Sequence, residues 1–75
     1  MPATAEDALS WQDEFGRRVR HLREAAGLSQ MRLAELAGLH PTYVSSVERG
    51  RRNLSLVNIH MLALALAVEP RELLS

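Results

Sequence analysis

The segment between Ser29 and Gly50 constrains the fold most, because it is divided by residues with specific backbone preferences. Ser29 suits the N-cap of one helix, and Gly38 suits the left-handed position that ends it. Pro41 follows three positions later, and proline is favoured at the first position of a new helix. The segment therefore predicts two short helices with a turn of about three residues between them, at 30–37 and at 41 to about 49. That arrangement is a helix-turn-helix unit, at about 29–49.

The remainder of the chain also predicts helices, since strand-like alternation is missing and no repeat occurs. A first helix is expected from about Trp11 to Ala26 with Ser10 as N-cap, although Thr4 offers a second, earlier cap. A fourth helix follows Ser55 and continues through Ala67. A fifth, one or two turns long, spans 70–74. We expect a compact all-α, five-helix domain over 11–75, with 1–10 as an N-terminal segment or a helix extension.

Composition excludes several classes of protein. The chain has 75 residues and no cysteine, which removes disulfides and thiolate zinc sites. The longest apolar run, 61–68, is far shorter than the roughly 20 residues of a membrane helix. We therefore expect a cytoplasmic protein of one domain that has no membrane segment.

Charge is strongly segregated along the chain, although the formal net charge is zero. Residues 15–55 carry eight arginines against three glutamates, a net charge of +5. The first fourteen residues carry four acids and no base, and the last twenty carry −1. The basic middle part indicates a region that binds a polyanion.

The second short helix of the unit has the side chains that a DNA major groove requires. With Val44 and Val47 assigned to the core, the expected outer side carries hydroxyls and an arginine. Small hydroxyl side chains allow close approach to the groove floor and can bond to bases. Arginines at the end of the helix and in the following loop can reach phosphates. The residues concerned are Thr42, Ser45, Ser46 and Arg49, followed by Arg51 and Arg52.

Three stretches, "R..AGLSQ..LAELAGL", "YVSSVERG" and "LALAVEPRELL", identify a resemblance over 23–74. The chain resembles the lambda-repressor/Cro type helix-turn-helix domains, the XRE family. Within that family it looks most like the controller proteins of restriction–modification systems. The resemblance implies a sequence-specific transcriptional regulator of double-stranded DNA, acting as a homodimer on a pseudo-palindromic operator. Activation and repression both stay open, and RNA polymerase is a further candidate partner.

The resemblance also implies roles for individual residues. A structural ion pair is expected between Arg23 and Glu48, which would tie the first helix to the third. Two positions depart from the family pattern: Pro41 replaces a frequent base reader, and Ala67 replaces the usual glycine. The implied DNA-binding set comprises a phosphate contact at Gln30, base readers at Thr42, Ser45 and Ser46, and backbone or groove-edge contacts at Tyr43, Arg49, Arg52 and Asn53.

The fourth helix is apolar on nearly every side, which predicts self-association. One stripe, with Leu56, Ile59, Ala63 and Leu66, is expected to face the core. Burial of the whole helix inside a monomer is the alternative. The predicted dimer interface is the second stripe together with the last helix: Val57, Met61, Leu64, Val68, Leu73 and Leu74.

Catalysis has no support in the sequence. His21, His40 and His60 lack metal-ligand spacing, and no phosphate loop or nucleophile elbow occurs, so we expect no enzyme, no metal and no cofactor. The serious alternative to a DNA-binding regulator is an antitoxin or another protein-interaction module in which DNA binding is secondary. Self-association without any partner would favour the regulator over that module.

Overall fold

The computed structural model describes residues 4–74, and over that range it contains five helices and no strand. This confirms the predicted all-α, five-helix fold. None of the described helices is long and apolar enough to cross a membrane. The helices are α1 (Ala5–Ala25), α2 (Gln30–Ala37), α3 (Pro41–Glu48), α4 (Leu56–Leu66) and α5 (Pro70–Leu74).

Helix α1 is longer than the main prediction, because it begins at Ala5 and passes through Ser10 without a break. The assignment of Ser10 as an N-cap is therefore wrong, and residues 5–10 extend the helix. Most of the other residues in this stretch are good helix formers, so one serine inside the helix costs little free energy. The end is well defined: the Leu28 amide donates to the Arg23 carbonyl at 3.0 Å, beside Gly27 at φ 73°. This is a Schellman motif, and it directs the chain into α2.

The turn between α2 and α3 is held by local caps. The Ser29 hydroxyl accepts a bond from the Arg32 amide at 3.0 Å, and Gly38 ends α2 at φ 70°. His40 then caps α3, since its Nδ1 accepts a bond from the Thr42 amide at 3.1 Å. Pro41 occupies the start of α3, as its fixed φ predicts. Each of these contacts spans three residues or fewer.

The core contains residues from all five helices, and its composition corrects two expectations. In α2, Leu36 is 45% exposed and the buried side runs through Ala34. Leu56 was expected to face the core but is 84% exposed, whereas Leu62 is fully buried and lies on the core-facing side of α4. Leu73 was expected at a dimer interface but is 1% exposed and belongs to the core. The buried residues are Phe15, Val19, Leu33, Ala34, Ala37, Val44, Val47, Leu62, Ala63, Leu66 and Leu73.

Helix α1 lies directly against the carboxyl end of α3, and Gly16 makes this approach possible. A Cβ atom at Gly16 would lie 2.9 Å from the carbonyl oxygen of Glu48, and it would also meet the Val47 carbonyl. Both obstacles are backbone atoms, so no side chain could rotate away. A glycine inside a helix is normally unfavourable, and here the contact with α3 accounts for it.

The end of α4 carries backbone strain. Ala67 has φ 58° and ψ 41°, a left-handed conformation that disfavours any residue with a Cβ. The Val68 amide donates to the Ala63 carbonyl at 3.0 Å, which completes a Schellman motif of the kind that glycine usually serves. The geometry of the turn is therefore normal. Alanine in place of glycine costs conformational free energy at this position.

We expect Ala67→Gly to raise the free energy of unfolding by about 0.5–1 kcal/mol, because the gain in the left-handed region exceeds the added entropy of the unfolded chain. Urea denaturation followed by circular dichroism measures this change. Ala65→Gly, inside the same helix, is the matched control and should destabilise by about 1 kcal/mol. Equal destabilisation by both variants would contradict the assignment of strain to Ala67.

Candidate nucleic-acid interface

The orientation of α3 is set by an ion pair that lies almost entirely out of solvent. Arg23 Nε donates to Glu48 Oε2 at 2.6 Å and Arg23 Nη2 donates to Oε1 at 3.0 Å, with side chains only 11% and 3% exposed. Arg23 Nη1 also donates to the Leu28 carbonyl at 2.8 Å. The hydrogen bonds to Glu48 raise the pKa of Arg23, which outweighs the opposite effect of burial. The pair therefore joins α1, the turn before α2 and the end of α3.

Gln30 contributes to the same cluster. Its Nε2 donates to Glu48 Oε1 at 3.0 Å, so one amide hydrogen is committed within the protein. The second amide hydrogen is left for another acceptor at the amino end of α2, where the helix dipole favours anions. A phosphate contact by Gln30 stays a prediction.

The outer face of α3 carries Thr42 and Ser45, and Arg49 continues this face as the C-cap residue of the helix. Thr42 and Arg49 are exposed and Ser45 is half-buried. On a helix of 3.6 residues per turn these three side chains fall within roughly 60° of one another. They therefore form one narrow polar face, directed away from the core.

Ser46 does not belong to that face. It is only 9% exposed and counts as buried, so the expectation that it lies on the outer side of α3 is wrong. Around the helix, position 46 lies only about 40° from Thr42, so helical geometry alone does not explain its burial. Both α1 and α2 pack against α3, which widens its buried side beyond the two valines.

Tyr43 links α3 to α4. Its hydroxyl accepts a bond from Asn58 Nδ2 at 2.9 Å, and the guanidinium carbon of Arg52 lies 5.4 Å from the centre of its ring. The ring attracts the cation and holds it beside α3. The sequence analysis did not predict a role for Asn58, whose only signal is that it is one of two polar residues, with His60, in a mainly apolar helix.

The loop after α3 turns back beside α1 because of Gly50. Gly50 has φ 71°, and the Arg51 amide donates to the Ser46 carbonyl at 2.9 Å. The following residues, 51–53, are all exposed. Gln12 of α1 reaches this loop, where its Nε2 donates to Asn53 Oδ1 at 2.6 Å. The predicted backbone contacts Arg52 and Asn53 thus lie in a loop that is held from two helices.

A second feature of the surface is an apolar face on α4 and α5, formed by Val57, Met61, Leu64, Val68 and Leu74. Val57 is 67% exposed, Leu64 is 60% exposed and Leu74 is 41% exposed. Met61 and Val68 are half-buried. This apolar face retains every residue of the predicted interface except Leu73.

Comparison with known proteins identifies the class. The family described as "Helix-turn-helix domain" matches residues 14–75. The chain belongs to this family and is a DNA-binding transcriptional regulator, as the resemblance predicted. The family consists of transcriptional regulators rather than enzymes. In the described part of the chain, no group of three or more histidines and acids could hold a metal ion.

Its relatives include restriction–modification control proteins. Control protein C.BamHI of Bacillus amyloliquefaciens is 48% identical over 61 residues, which cover 80% of this chain and 75% of that protein. The crystal structure of the controller protein C.AhdI from Aeromonas hydrophila is 61% identical with a TM-score of 0.82, covering 83% of this chain and 94% of that one. The hypothetical transcription factor NHTF from Neisseria is 40% identical with a TM-score of 0.85, covering 100% and 86%.

We expect Glu48→Gln to lower the free energy of unfolding by about 3 kcal/mol or more, because it leaves the Arg23 guanidinium buried without its counterion. Thermal and urea denaturation measure the loss. Glu24→Gln is the control: Glu24 pairs with Arg20 at 3.5 Å, with side chains 56% and 62% exposed, and its loss should cost less than about 1 kcal/mol. Similar losses in both variants would show that the Arg23–Glu48 pair has no special structural role.

Proposed function

We propose that this protein is a homodimeric, sequence-specific regulator of the restriction–modification controller type, which binds a pseudo-palindromic operator at its own or a neighbouring promoter. One observation carries the proposal: the polar face of α3 and the arginines of the following loop are exposed beside one another. The similarity to control proteins supports the choice of regulator type. Such a protein works in the cytoplasm, where bacterial DNA is found.

The exposed face of α3 divides by chemistry into two functions. Thr42 and Ser45 are short enough to let the helix approach base edges and can donate or accept hydrogen bonds there. Arg49 lies at the other end of the face, where phosphates of the groove wall come within reach. Pro41 offers no side-chain hydrogen bond, so specificity depends on the hydroxyls, on Arg52 and on DNA shape.

The Tyr43 and Arg52 pair supports a contact at the groove edge. Tyr43 accepts a hydrogen bond from Asn58, which leaves its own hydroxyl hydrogen for a DNA acceptor. Arg52 is exposed while its guanidinium group lies over the ring of Tyr43. The position of its hydrogen-bond donors is therefore restricted before they bind a guanine edge or a phosphate. Gln30 and Asn53 would add phosphate contacts from α2 and from the loop.

The apolar face on α4 and α5 supports the dimer. A chain of this length buries a smaller fraction of its surface than a larger domain does, and covering Val57, Leu64 and Leu74 would add to that burial. To bind two half-sites of an operator, a two-fold dimer through this face must set its two copies of α3 about 34 Å apart, the repeat of one DNA turn.

The same apolar face also fits the alternative of an antitoxin or interaction module, since it would bind another protein equally well. Contact with RNA polymerase is a separate proposal and would use α2. There, the carboxylate of Glu35 forms an exposed ion pair with Arg32, which leaves little net charge for a basic partner. The oligomeric state of the isolated protein separates a regulator that dimerises alone from a module that waits for its partner.

We expect tight binding to the duplex just upstream of the gene and weak binding to a random duplex, with log affinity falling steeply against log salt. Fluorescence anisotropy across a salt series measures both. Weak, equal binding to the two duplexes would contradict autoregulation and favour a distant operator or a protein partner.

The same assay assigns Arg52, with Arg71→Ala on α5 as a control that should bind normally. Arg52→Ala should cost about 1–3 kcal/mol on the upstream duplex alone if the residue reads a base. Equal losses on both duplexes, with a salt slope smaller by about one, would assign it to a phosphate instead.

Leu64→Glu should convert the dimer to a monomer and weaken operator binding, because a buried unpaired charge costs about 2 kcal/mol or more at the centre of an interface. Analytical ultracentrifugation gives the dissociation constant. Leu56→Glu is the matched control, since Leu56 is 84% exposed and lies outside the apolar face. A wild-type protein that is monomeric at all concentrations would contradict the proposed dimer.

A further inference from the structure

Gln12 of α1 makes a side-chain hydrogen bond to the loop proposed to touch DNA. Its Nε2 donates to Asn53 Oδ1 at 2.6 Å, across 41 positions of sequence. Gln12 is half-buried and Asn53 is exposed, so the bond lies at the edge of the proposed DNA surface. Arg51 and Arg52 directly precede Asn53 in the loop.

The direction of this bond decides what Asn53 can offer to DNA. An asparagine amide has an oxygen that only accepts and a nitrogen that donates two hydrogens. The DNA backbone presents acceptors, so only the nitrogen of Asn53 is useful there. The last torsion of asparagine is broad, and an unrestrained side chain would also present its oxygen to the phosphates. Because Gln12 occupies the oxygen, the two hydrogens on Nδ2 are left to face outward.

Gln12 is itself held in place by the packing of α1. It lies one helical turn before Gly16, where α1 meets the carboxyl end of α3. The next residue, Asp13, lies so near the loop that a Cβ at Gly50 would be 3.0 Å from its Cα. Two close contacts therefore fix the backbone of α1 relative to the loop, which keeps Gln12 within reach of Asn53.

We propose that Gln12 is a positioning residue for DNA binding, which orients the Asn53 amide so that its Nδ2 donates to a phosphate. This inference rests on the proposed function. It makes α1 part of the binding surface without any contact between Gln12 and DNA. The occupied oxygen also removes an acceptor that would repel the phosphate.

A double-mutant cycle with Gln12→Ala and Asn53→Ala tests the proposal by anisotropy on the upstream duplex. Asn53→Ala should weaken binding by about tenfold to a hundredfold, the effect of one hydrogen bond to a charged phosphate, and Gln12→Ala should weaken it by a smaller factor. The double variant should bind no more weakly than Asn53→Ala, because Gln12 acts through Asn53. Melting temperatures should stay near that of the wild type, since the bond lies at the surface.

The salt dependence separates positioning from a general displacement of the loop. Asn53 carries no charge, so Gln12→Ala should leave the slope of log affinity against log salt unchanged. A loop that had shifted would lose contacts of Arg51 or Arg52 and would show a smaller slope. A smaller slope in Gln12→Ala would therefore overturn the proposal.

Gln12→Glu adds a second prediction, because a carboxylate can only accept. It should draw Nδ2 of Asn53 towards itself and weaken binding more than Gln12→Ala does. Measuring Gln12→Glu also in the Asn53→Ala background subtracts the plain effect of the added charge. The excess loss should disappear in that background.

Two results would overturn the positioning role while leaving the regulator intact: unchanged affinity in Asn53→Ala, or equal effects of Gln12→Ala with and without Asn53. Failure of the wild-type protein to bind any duplex in a salt-dependent way would overturn the proposed function and this inference together.

Discussion

The bond between Arg23 and Glu48 is the interaction on which the rest of the structure depends. It is bidentate, nearly excluded from solvent, and shared with Gln30 and the Leu28 carbonyl. A buried ion pair adds little net stability compared with apolar packing, but its removal on one side is costly. Its directional geometry is therefore the more important contribution. It sets the angle of α3 against α1, and with that angle the direction in which the polar face of α3 points.

The contact between α1 and α3 extends this control into the proposed DNA surface. Gly16 brings the two helices together, and Gly50 then turns the loop back alongside α1. One face thus combines α3 and the following loop, with α1 close behind it. Three arginines, Arg49, Arg51 and Arg52, are exposed at this face. A neutral protein can in this way present a basic surface to a polyanion.

Two features of the structure lower the stability of this small domain. Ala67 ends α4 in an unfavourable backbone conformation, and several large apolar side chains on α4 and α5 are exposed. Both features fit the proposed dimer, in which a second copy would complete the folded form. Association would then supply burial that 75 residues alone do not provide.

The sequence by itself determined the helix-turn-helix unit, because the caps of that unit act over three or four residues, and its quoted stretches determined the family. Ser29, Gly38 and Pro41 each serve the local role that their chemistry predicts. Only the tertiary structure decided how wide each buried face is, since that depends on which neighbours cover a helix. It placed Ser46 and Leu73 inside and Leu56 outside, and it joined Gln12 to Asn53. Contacts between residues far apart in the chain have no local signature, because they depend on how whole helices pack.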